Sequence, residues 1–147
     1  MGIRNHGGHE QTRNKMTKYQ GYETDFQKTL ARFLDQYGVV WCHVANERQT
    51  SIKQSRGGRY YSPEGNKLKS MGVKKGVPDV LIFEPRDGFV GLAIELKVGS
   101  NKPTTEQNWW LEKLRESGWM TMWSNDLDDV IEHVEKYMSS PRTVGLK

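Results

Sequence analysis

The polar and apolar positions of this chain alternate between helical and strand-like periods in short, well-separated segments. Over residues 23–37, Phe26, Leu30, Phe33, Leu34 and Tyr37 recur at helical spacing, and Gly38 supplies a C-terminal stop. Residues 39–44, VVWCHV, are a short run of β-formers. Residues 45–76 are polar and Gly-rich with no sustained period, which predicts mainly a long functional loop. Strands are predicted over 80–83 and 89–98, joined through the turn residues Pro85, Arg86, Asp87 and Gly88. A helix over 105–117 follows, with Thr104 and Gln107 at capping-box spacing and Gly118 beyond its end. Residues 119–123, WMTMW, are apolar on both faces, the pattern of a buried central strand. A last helix has N-cap candidates in Ser124, Asn125 and Asp126. It presents Val130, Ile131, Val134, Tyr137 and Met138 on one face and stops at Pro141. The order is α-β-β-β-α-β-α, an α/β arrangement with a mixed sheet flanked by helices.

A chain of 147 residues has the length of one domain. We place that domain at residues 19–140, between a flexible basic N-terminal extension, 1–18, and a short C-terminal tail, 141–147. No apolar run is long enough for a membrane span, which points away from a membrane partner. The lone Cys42 excludes an internal disulfide and is expected as a small core residue in a reducing, cytoplasmic compartment.

Charge adds a partner to this picture. The net charge is +4, but residues 48–75 alone hold eight basic residues against Glu64. Those residues are Arg48, Lys53, Arg56, Arg59, Lys67, Lys69, Lys74 and Lys75. Residues 106–135 are the reverse, with eight acids against Lys113 and Arg115. A concentrated basic segment neutralises phosphates and draws in nucleic acid. It implies no chemistry by itself.

The chemistry lies in GVPDVLIF and GLAIELKV. Asp79 stands at the start of one predicted strand, after a Pro that fixes the entry. In the next strand, alternation puts Ala93, Glu95 and Lys97 on one face and Leu92, Ile94 and Leu96 on the other. If the two strands pair, Asp79 converges on Glu95 and Lys97. Two carboxylates and an ammonium in one place suit a hard divalent cation, Mg²⁺ or Mn²⁺, acting on a phosphate. The plainer alternative is a turn Asp and a solvent-facing Glu/Lys pair on an edge strand. Glu23 falls on the apolar stripe of the first helix, where a carboxylate needs a partner such as a cation; the alternative is a first-turn Glu favoured by the helix dipole and still in water. Gln107 shares a stripe with Trp110, Leu111 and Leu114, and also serves as a helix cap. Trp109 lies off that stripe, available for a partner subunit, a base, or packing beneath the long loop.

From about Tyr22 to Tyr137 the chain resembles the VRR-NUC family, the virus-type replication-repair nucleases of the PD-(D/E)xK superfamily. The segments concerned are Glu23-x-x-x-Gln27, His43 to Glu47, Leu68-Lys69-x-Met71-Gly72-Val73, Gly76 to Asp79, Gly91-Leu92-x-Ile94-Glu95-Leu96-Lys97, and Gln107 with Leu114 and Gly118. The resemblance implies a restriction-endonuclease-like core. It also implies a metal held by Asp79, Glu95 and the Leu96 backbone carbonyl, with Glu23 completing or supporting the site. By the same resemblance Lys97 positions or activates the attacking water, Gln107 orients Lys97 or that water, and Asn46 lies near the site. DNA contacts are assigned to Asn46, Arg48, Arg56, Arg59, Lys67, Lys69, Lys74 and Lys75. The chain departs from many relatives at Val98-Gly99-Ser100, where a basic residue often stands. Similarity to standalone bacteriophage members implies a homodimer that cuts branched DNA, such as four-way junctions, in the bacterial cytoplasm. A flap or end-processing nuclease, and a DNA-binding module that does not cut, are the alternatives.

Overall fold

The computed structural model describes residues 23–45 and 53–145, and the expected 1–18 extension lies outside them. Helix α1, Glu23–Tyr37, buries Phe26, Leu30 and Leu34, with Glu23 and Asp25 favourably placed in its first turn. Gly38 ends it at φ +79°, its N–H reaching Leu34 O at 3.0 Å. The chain then enters β1, Trp41–His43, and later β4, Val80–Ile82, and β5, Leu92–Leu96. Helix α3, Thr105–Glu116, carries the chain across to β6, Met120–Ser124, and α4, Leu127–Ser139, closes the fold.

Between β1 and β4 the long-loop expectation is corrected. Residues 53–61 form a small hairpin of β2, Lys53–Gln54, and β3, Tyr60–Tyr61, closed by Ser55 N–H on Arg59 O at 2.8 Å. Helix α2, Pro63–Ser70, follows. Ser62 caps it by accepting from Gly65 N–H at 3.0 Å, and Pro63 occupies the first turn. With no fully buried residue in α2, its sequence leaves no apolar stripe to read.

The main sheet has the order β1-β4-β5-β6, antiparallel except for the parallel β5–β6 pair that α3 connects. One face carries Val80, Ile82, Leu92, Ile94 and Leu96, packed against Phe26, Leu30 and Leu34 of α1 and Val130, Val134 and Tyr137 of α4. Helix α3 lies over the other face: Arg115 bonds Thr121, which alternates with the core-packed Met120 and Met122. Two expectations fall here. Strand β6 is an edge strand among the described residues, because α3 returns the chain outside β5. Cys42 is exposed, because β1 forms the opposite edge and Cys42 pairs with Leu81 on the face away from the α1/α4 core. Residues 141–143 dock on the β4–β5 turn, where Thr143 N–H meets Pro85 O at 3.0 Å.

Gly91 marks the tightest backbone approach. A Cβ there would stand 2.4 Å from Trp119 Cζ3 and 2.7 Å from the Ile82 carbonyl oxygen. The carbonyl belongs to the sheet and cannot move aside. Gly91→Ala therefore lowers stability by about 1–3 kcal/mol through overpacking. In thermal denaturation the midpoint falls by several degrees, and an unchanged midpoint contradicts this packing.

Candidate active site

The β4–β5 register, Val80 opposite Ile94, places the preceding residue Asp79 opposite Glu95. Both carboxylates thus belong to one sheet face, while their neighbours Val80 and Ile94 fill the core. Asp79 Oδ2 accepts the Leu96 N–H at 2.8 Å, which fixes the carboxylate against β5. The Asp79 carbonyl accepts from Val44 N–H at 2.8 Å and lies 2.9 Å from His43 Nδ1, so β1 holds its backbone too. Along an extended strand a residue's N–H and C=O point to the same side. Leu96 N–H meets Asp79, so the Leu96 carbonyl opens toward Asp79. Lys97 N–H turns the other way, to Ser124 O of β6 at 2.9 Å.

Glu95 is only 1% exposed, in the middle of the sheet. Lys97 Nζ lies 2.9 Å from Glu95 Oε1, with 13% of the Lys97 side chain exposed. A solvent-facing pair on an edge strand is excluded by both values and by the place of β5 between two strands. Glu95 Oε2 is buried with no hydrogen-bond donor. Burial pushes the Glu95 carboxyl up from 4.5 to about 7, the negative charge of Asp79 adds to the rise, Lys97 opposes it, and Glu23 contributes a smaller push upward.

The VRR-NUC domain family model matches residues 18–122. The chain belongs to the VRR-NUC family. A solved structure of a "VRR_NUC domain protein" is similar at a TM-score of 0.60 and 26% identity, covering 84% of this chain and 94% of the other. No curated protein matches. Membership makes the chain a nuclease domain of the PD-(D/E)xK type, with the mixed sheet and flanking helices that the sequence pattern predicts. No helix among the described residues is long and apolar enough to cross a membrane.

Within the VRR-NUC domain, the predicted residues are distributed unevenly. Asp79, Glu95, Lys97 and the Leu96 backbone come together. Glu23, exposed at the start of α1, influences Glu95 by charge, and no group of three His, Cys, Asp or Glu side chains gathers as a ready-made metal cage among the described residues. Gln107 closes the capping box: its Oε1 accepts from Thr104 N–H at 2.8 Å, which commits that oxygen to the N-terminus of α3. Arg56 and Arg59 are exposed on the β2–β3 hairpin, Lys67 and Lys69 on α2, and Lys74 and Lys75 before β4. Asn46 and Arg48 lie outside the described residues. Sequence reasoning assigned no task to Gln27, whose buried Nε2 finds no acceptor one turn after Glu23. The signal was its i, i+4 spacing from Glu23 on one helix face.

A raised carboxyl makes stability fall with pH. Between the ordinary 4.5 and about 7, the folded chain keeps a proton on Glu95 that the unfolded chain has released. Metal-free protein therefore loses on the order of 2–3 kcal/mol as pH rises through that window, and the loss levels off above it. Thermal denaturation in EDTA between pH 5 and 7.5 reads this slope. Glu95→Gln flattens it; an equally steep slope in that variant assigns the titration elsewhere.

Proposed function

We propose that this chain is a divalent-metal-dependent DNA endonuclease, with residues 19–140 as its nuclease domain, cutting branched DNA such as four-way junctions as a homodimer. The observation that carries the proposal is the desolvated Glu95, set across from Asp79 and beside Lys97. Two acids opposed in this way are a poor use of a sheet unless a cation reconciles them. The donor set fits Mg²⁺ or Mn²⁺. Such ions take one or two carboxylates and keep several waters, so two side chains and the Leu96 carbonyl suffice without a full protein cage. When bound, the cation lowers the pKa of a coordinated water and neutralises charge on the scissile phosphate.

The chain's own residues then divide the work. Asp79, oriented by Leu96 N–H, and Glu95, in its ionised form, supply the anionic oxygens. Lys97 holds Glu95 in place and presents an ammonium to the water and the phosphate, where it steadies developing negative charge. Glu23 supports the site from the start of α1, through its charge and through water. Gln107 acts mainly by setting the N-terminus of α3. The exposed cations Arg56, Arg59, Lys67, Lys69, Lys74 and Lys75, with Asn46 and Arg48, grip the phosphate backbone; this favours recognition of shape over base sequence. In a two-fold dimer, two such centres meet two strands, which suits symmetric cutting of a junction.

A panel of junction, flap, nicked and linear DNA with Mg²⁺ or Mn²⁺ tests the proposal. The junction is cut fastest, and preference for the flap rejects the junction assignment. EDTA stops cleavage. Lys97→Ala lowers cleavage by about 100-fold or more while DNA binding persists. Asp79→Ala abolishes cleavage with loss of metal binding, measured by calorimetry; wild-type cleavage in that variant refutes the metal site.

A further inference from the structure

Apart from the acidic centre, the surface carries a cavity of about 510 Å³ lined by Lys74, Lys75, Thr105, Glu106, Trp109 and Trp110. Its volume is that of a small-ligand site. The two indoles meet edge to face, with centroids 5.4 Å apart and planes at 90°. Trp110 is fixed: its Nε1–H donates to the Lys75 carbonyl at 2.8 Å. Trp109 is 54% exposed, a large apolar ring left in water. The loop that carries the lysines is itself docked on α3. Gly76, at φ +82°, approaches so closely that a Cβ would stand 2.8 Å from the Glu106 backbone carbon.

We propose that this cavity receives one unpaired nucleotide of the DNA substrate, its base stacked on Trp109 and its phosphate held by Lys74 and Lys75. The proposal rests on the nuclease assignment and extends it. Every base has a face that stacks on an aromatic ring, so such a site needs no particular sequence. Thr105 and Glu106 offer a donor and acceptors at the edge of a base. Charge favours a polyanion over a second copy of the chain, since the lysines stand on a protein of net charge +4. The position is also apt. Lys75 precedes Asp79 by four residues, a reach of at most about 14 Å, or about four stacked nucleotides of one strand. The enzyme thereby selects DNA with a base unpaired close to the cut, as branch points provide.

The 147-residue chain in EDTA at low salt is titrated into a duplex with a single unpaired 2-aminopurine, and into the same duplex with that base paired. The unpaired probe is quenched on binding. Trp109→Ala weakens binding of the unpaired substrate by about 5- to 100-fold and leaves the paired duplex unchanged. Trp109→Phe, which keeps a ring, restores most of the affinity. Equal affinity of Trp109→Ala for the unpaired probe overturns the proposal. So does a change in sedimentation without any change in quenching, which makes the cavity a contact between two copies. Cleavage with Mn²⁺ by the unmodified protein, measured alongside, separates the two claims. Quenching without cleavage removes the nuclease assignment alone, and cleavage without quenching removes the nucleotide site alone.

Discussion

Glu95 occupies one of the two inner strands of the sheet, stripped of water and faced by another carboxylate, and much of the architecture is arranged around that unfavourable placement. An isolated buried acid shifts toward its neutral form. Lys97, two residues along the same strand, offsets part of the cost at 2.9 Å, but the like charge of Asp79 works against it. The sheet tolerates the arrangement because the opposite face of its two inner strands is apolar, with Val80, Ile82, Leu92, Ile94 and Leu96 sealed by α1 and α4. Strand register does the rest. A slip of one residue would send Glu95 and Lys97 into that core and Ile94 and Leu96 out of it.

Much of this was legible beforehand because period and polarity agree. Helix α1 follows from an apolar stripe that ends in a glycine, and α3 from a capping box that the structure contains in full. The convergence of Asp79, Glu95 and Lys97 follows from alternation and one assumption about pairing, which the antiparallel register satisfies. What escaped has physical reasons. Helix α2 is short, contains Gly65 and Asn66, and buries nothing completely, so only its Ser62-Pro63 start could announce it. The two-residue strands of the hairpin are too brief for any period. Strand β6 reads as central because apolar residues fill it on both sides. It is an edge whose Met120, Thr121 and Met122 are only partly covered and whose Trp123 is exposed. Cys42 looked like core for the same reason: a run of β-formers does not say which face its sheet leaves open.

The two faces of the sheet therefore serve different ends. On one, dispersion and burial set stability, and any hydrophobic residue of suitable size is at home. On the other, α3 packs across β5 and β6 while its first two turns, with Trp109 and Trp110, meet the segment that leads into Asp79. Strand entry, helix start and basic loop are thus neighbours in space although spread over some thirty residues of chain.

Gly76 joins those three parts without a side chain. Its left-handed backbone and its close contact with Glu106 leave no room for even a methyl group. Any larger residue must lever the loop off the helix. That displacement reaches the indole tethered at Lys75 and, through Val77 and Pro78, the acid at the head of β4. Alignment between the grip on a substrate and the point of attack is accordingly stored in a contact too close to admit one more carbon atom. Anyone redesigning this scaffold for a new target should keep a glycine at that position.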